Sequence, residues 1–69
     1  MSSVYKVIEV IGGSDKSWED AAKKALEVTA KSLKETRVAE VKDLDIRIEN
    51  GKVVEYRAKL RVSFKYKPE

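Results

Sequence analysis

Neither cysteine nor histidine occurs among the 69 residues. Their absence excludes disulfides, thiol nucleophiles, most zinc sites and any imidazole base. Metal chemistry is thereby confined to hard cations held by carboxylates and carbonyls. A strong excess of one charge is missing too: 15 basic residues face 12 acidic ones. A net charge of +3 is too small to argue for nucleic acid without a concentrated patch. No apolar run approaches membrane-spanning length, and Met1-Ser2-Ser3-Val4-Tyr5-Lys6 lacks the core of a signal peptide. The expectation is one cytoplasmic domain over residues 1–69. At that size a single core is marginal, and association with further copies often supplies the missing burial.

What is present is a strong two-residue period near the end of the chain. Val54, Tyr56, Ala58, Leu60, Val62, Phe64 and Tyr66 fall on one side, and Arg57, Lys59, Arg61, Ser63 and Lys65 on the other. This describes a half-buried antiparallel strand. Fourteen such residues span roughly 46 Å, against about 28 Å for the diameter of a compact chain of this length. The strand outruns its own domain, so it bends, or a further copy covers its far end.

Residues 4–11, rich in β-branched side chains, read as a first strand, which the glycine pair Gly12-Gly13 is expected to stop. Ser17 caps the following helix in preference to Ser14, with Glu19 and Asp20 opposing the positive end of the dipole. The helix is predicted over residues 18–34, with Trp18, Ala21, Ala22, Ala25, Leu26, Thr29 and Leu33 on its apolar stripe. Its alanines allow a close approach to a sheet, yet it can cover only about half the hairpin.

The second strand, residues 37–49, changes parity. Ala39 and Val41 lie on one face, whereas Leu44, Ile46 and Ile48 lie on the other, so a bulge near Lys42-Asp43 is required. A three-residue loop, Glu49-Asn50-Gly51 with Gly51 left-handed, sets Ile46 beside Val54 and is preferred over a two-residue Asn50-Gly51 turn. The predicted fold class is α+β: β-α-β-β, with a bent three-stranded antiparallel sheet wrapped around one helix.

Arg57, Lys59, Arg61, Lys65 and Lys67 make a basic face that could hold phosphates or nucleic acid. Glu40, Asp43, Asp45 and Glu55, on or across the hairpin, favour mixed-sign pairing there instead, and no aromatic platform is interleaved for bases. Trp18, in the first helical turn, reads as a lid on the core. Asp43, Asp45 and Glu49 are candidate calcium ligands, although their spacing is unlike an EF-hand. Ser14, Ser17 and Ser32 have no base to activate them, and no phosphate-cradling loop is present. The reading is a protein that is not an enzyme.

Five segments in this order carry a family resemblance: Val4-Tyr5-Lys6-Val7-Ile8-Glu9; Gly12-x-Ser14; Ser17-Trp18-Glu19-x-Ala21-Ala22; Arg37-Val38-Ala39-Glu40-Val41; and Tyr56-Arg57-Ala58-Lys59-Leu60-Arg61-Val62-Ser63-Phe64. Together they resemble the dodecins nearly end to end. The resemblance implies a hollow homododecamer of cubic symmetry built from trimers. It also implies a store for flavin, with stacked flavin pairs lying between subunits. In such a site an aromatic residue, usually tryptophan, at the start of the second strand stacks on the ring, and a glutamine on the third strand bonds the ring edge. Val38 stands at the tryptophan position and Arg57 at the glutamine position. Valine has no π-face and arginine no acceptor, so flavin (FMN or riboflavin) is expected to bind weakly or not at all. Arg57 could instead grip another flat anionic ligand. The chain is most similar to the subgroup without that tryptophan, the calcium dodecins, which leaves a calcium-binding or purely structural shell as the competing reading.

Overall fold

The computed structural model describes residues 4–32 and 36–65. Its elements run β1 (Tyr5–Ser14), α1 (Trp18–Ser32), β2 (Thr36–Glu49) and β3 (Lys52–Lys65). Both pairings are antiparallel and the order is β1-β3-β2, so the long alternating strand lies in the centre. This is the predicted β-α-β-β architecture. Leu33, Lys34, Tyr66 and Lys67, assigned above to the helix or the last strand, lie outside the described residues.

The central strand is buried where its period requires it. Ala58, Leu60 and Val62 meet Ala21 and Ala25 of α1, and these five make up the core among the described residues. Only Leu60 and Val62 are large side chains in full burial. The chain measures 54 × 19 × 17 Å, with a radius of gyration of 14.3 Å. A compact chain of 69 residues would come near 11 Å. Fifteen helical residues rise about 22 Å, less than half of what fourteen strand residues span. The hairpin does outrun its helix.

Ser17 caps α1 as expected: its Oγ accepts from the Asp20 N–H at 3.0 Å. Ser14, buried, donates to Asp20 Oδ2 at 2.6 Å and accepts from the Lys16 N–H at 3.0 Å, fixing the strand-to-helix corner. Trp18 packs edge-on against Tyr56, ring centres 5.2 Å apart, and its indole N–H donates to the Asp45 carbonyl at 3.1 Å. The lid reading of Trp18 stands, with a bond to β2 added.

Two expectations are corrected. Gly12-Gly13 does not end β1; the strand continues to Ser14, with Gly12 opposite Ala58 and Gly13 opposite Arg57. Neither glycine has positive φ. Gly12 is required by the close approach of the helix, because a Cβ there would collide with the Ala21 carbonyl oxygen and stand 2.8 Å from Ala25 Cβ. The hairpin loop, in turn, has two residues. Asn50 and Gly51 lie at φ 53° and 75°, and Glu49 pairs with Lys52. This is a type I′ turn, whose twist suits the flanking strands.

Ile46 therefore faces Tyr56, since the register shifts between Arg47 and Ile48 and leaves Val54 as the extra residue on β3. The bulge expected near Lys42-Asp43 is present between Val41 and Asp43. It brings Ala39, Val41, Leu44 and Ile46 to the helix side, opposite Val62, Leu60, Ala58 and Tyr56.

Candidate functional site

The face of the sheet away from the helix carries most of the polar chemistry. Its rows follow from the two registers. Central cations lie between edge residues in the rows Glu9–Arg61–Glu40, Ile11–Lys59–Asp43 and Gly13–Arg57–Asp45. One end of the face differs: the row Val7–Ser63–Val38 is uncharged. Val38 there is 63% exposed, and its carbonyl accepts from Ser63 Oγ at 3.4 Å.

The charged rows neutralise themselves. Arg57 donates in a two-pronged fork to Asp45, at 2.7 and 2.8 Å. Glu9 takes both Arg61 at 3.2 Å and Lys59 at 3.6 Å. Arg47 bonds Glu55 at 3.0 Å and also Glu49. The mixed-sign pairing expected of this face is thus present, with each of the central cations Arg57, Lys59 and Arg61 compensated. Glu9 was missed as a partner by the sequence reasoning. Its alternation with Tyr5 and Val7 places it on this face, but its partners appear only once β1 is paired with β3.

These contacts sort the candidate residues. Val38 and Arg57 share a face but not a place. Val38 pairs with Ser63, six residues along β3 from Arg57, so the two lie about 20 Å apart in one chain. Asp43 and Asp45 share the face too, yet Asp45 is committed to Arg57, and Glu49 to Arg47. Asp43 lies opposite Lys59, whose amine turns to Glu9. No group of three or more metal-ligating side chains forms within the chain among the described residues. Asp43 can offer hard oxygen donors; a complete calcium shell then needs donors from further copies.

Charge partners move the pKa values in the expected sense. Hydrogen bonding from Arg57 holds the Asp45 carboxyl below the usual carboxylate range, and Arg61 and then Lys59 do the same for Glu9. A bond from Ser14 lowers Asp20. Carboxyls lowered on folding contribute stability that is full above their unfolded pKa and lost as pH falls through the folded one. Melting temperature should hold from pH 7 to 5 and drop below about pH 4. In Asp45→Asn the drop over that window should be shallower, Glu9 and Asp20 still contributing. Parallel acid profiles for the two proteins would show that the Arg57 pair adds nothing. Both partners are exposed to solvent, which screens the pair, so the difference should be small.

Fold and face together define an α+β domain with an ionic sheet surface and no catalytic constellation among its described residues. No described helix is long and apolar enough to cross a membrane. The family model for dodecins matches residues 4–67, and the chain belongs to the dodecin family. Calcium dodecin of Mycobacterium tuberculosis is 46% identical over 66 residues, covering 96% of this chain and 93% of the relative. The crystal structure of that organism's calcium-chelating immunodominant antigen, a calcium dodecin described with a novel calcium-binding site, superposes with a TM-score of 0.87. The two are 47% identical, covering 97% of this chain and 96% of that one. A point mutant of the Thermus thermophilus dodecin superposes with a TM-score of 0.89 at 33% identity, over 97% of this chain and all of the other.

Proposed function

We propose that this chain is the subunit of a non-enzymatic binding shell, a homododecamer that takes up Ca²⁺ and binds flavin weakly or not at all. The observation that carries the calcium reading is chain-long kinship with a calcium dodecin, joined to the uncharged, ring-free row at Val38. Asp43 is the first candidate ligand, since Asp45 and Glu49 are already committed to arginines. Donors from symmetry-related copies would complete the shell.

Binding to the native state alone must raise the melting temperature. Calcium at a hundred times its Kd stabilises by about 2.7 kcal/mol per site, an upward shift of about 10–20 °C for a small domain. Asp43→Asn should lose most of that shift, and Asp45→Asn little of it. Identical melting curves in chelator and in millimolar calcium would remove calcium from the proposal. Native mass spectrometry tests the shell: a particle of twelve 7.8 kDa chains is expected. A folded monomer at micromolar concentration would refute it.

A further inference from the structure

Among the described residues, eleven large hydrophobic side chains are exposed while only Leu60 and Val62 are large and fully buried. A domain of this size with so small a core needs burial from outside itself. The sheet face away from the helix is a poor place to find it over most of its length. Its ion pairs are complete, and stripping water from paired charges costs more than it returns.

The helix side offers two apolar grooves, one on each flank of α1. The groove on the β2 flank, about 260 Å³, is walled by Trp18, Val41 and Leu44, the last two 53% and 50% exposed. The groove on the β1 flank, about 510 Å³, is walled by Val10, Ile11 and Val28; Ile11 is 61% and Val28 67% exposed.

Each groove carries one charged residue, and the signs are opposite. Glu19 stands in the β2-flank groove and Lys24 in the β1-flank groove. Lys24 already meets Asp20 of its own helix at 3.3 Å, which leaves its exposed amine free to meet a second carboxylate. A groove packed on its own kind across a two-fold axis would oppose Glu19 to Glu19, or Lys24 to Lys24. Like charges brought together at an interface are penalised, and unlike ones fix the register.

We infer that the β2-flank groove of one copy packs against the β1-flank groove of the next, head to tail, with Glu19 meeting the neighbour's lysine at position 24. The inference rests on the self-assembly proposed above and adds its polarity. Such a contact is heterologous, so repetition closes it into rings.

The test is reassembly after dilution from guanidinium, followed by native mass spectrometry, with circular dichroism to confirm folding. Glu19→Lys and Lys24→Glu should each raise the concentration for half-assembly by roughly tenfold or more. The double exchange should return it to within about twofold of wild type. Leu44→Asp and Val28→Asp, one in each groove, should both prevent assembly. A double exchange as impaired as the single ones overturns the head-to-tail contact. Single exchanges that assemble like wild type overturn it as well, and leave self-assembly intact. Wild-type protein that refolds as a monomer overturns both.

Discussion

Gly12→Ala should lower the melting temperature by about 10–20 °C, although it adds a single methyl group. The new Cβ would run into the Ala21 carbonyl oxygen and crowd Ala25 Cβ, and these are helix backbone and a core methyl with nowhere to go. Overpacking of this kind costs about 1–3 kcal/mol and occasionally more. Removing a glycine recovers about 0.4–1 kcal/mol by restricting the unfolded chain. The collision wins, because relief requires α1 to lift off β3 and expose Leu60 and Val62. A net 2–3 kcal/mol in a domain this small corresponds to about 4–8 °C per kcal/mol. The adjacent position is the control. At Gly13 the obstacle is the end of the Glu55 side chain, which can swing aside, so Gly13→Ala should cost little more than the exposed Arg47–Glu55 pair. Equal melting temperatures for Gly12→Ala and Gly13→Ala would show that helix and sheet are not held at this distance.

The glycine pair also marks where sequence reasoning ran out. Gly12-Gly13 looked like a turn because glycine usually serves local backbone geometry. Here its cause is a helix nine residues away, and only the packed structure reveals that. Features with a local cause were legible: the Ser17 cap, the period of β3, and the bulge at Lys42, which the parity change between Val41 and Leu44 demands. The hairpin failed for an instructive reason. A longer loop was preferred to bring Ile46 onto the apolar face, and the chain reaches that face with a type I′ turn and an extra residue at Val54. Two slips of opposite parity are invisible when only one is sought. The ionic face was half legible, since β2 and β3 are neighbours in sequence while Glu9 arrives from 52 residues away. Any site shared between copies is beyond a single chain's pattern. Val38 and Arg57, about 20 Å apart on one sheet, illustrate it.

That separation sharpens the expectation for flavin. A ring that touches both positions must lie between two copies, one supplying residue 38 and the other residue 57. Val38 withholds the stacking face, worth about 1–3 kcal/mol per ring. Arg57 withholds an acceptor, worth about 0.5–1.5 kcal/mol. Together these predict binding weaker by roughly 10- to 2,000-fold, at a factor of ten per 1.4 kcal/mol. Arg57 is also less available to an anionic flavin than its charge suggests, because Asp45 already fills its fork. A preference for FMN over riboflavin should therefore be slight in the wild type and grow in Asp45→Asn, where the guanidinium is released. The double change Val38→Trp with Arg57→Gln restores ring and amide at once. It leaves Asp45 unpaired but 54% exposed, where water replaces the lost partner at little cost. The double variant should quench riboflavin fluorescence at concentrations where the wild type leaves it unchanged. Submicromolar quenching by the wild type would place the ring elsewhere on the surface, and a double variant that does not quench would show that residues 38 and 57 are not brought together between copies.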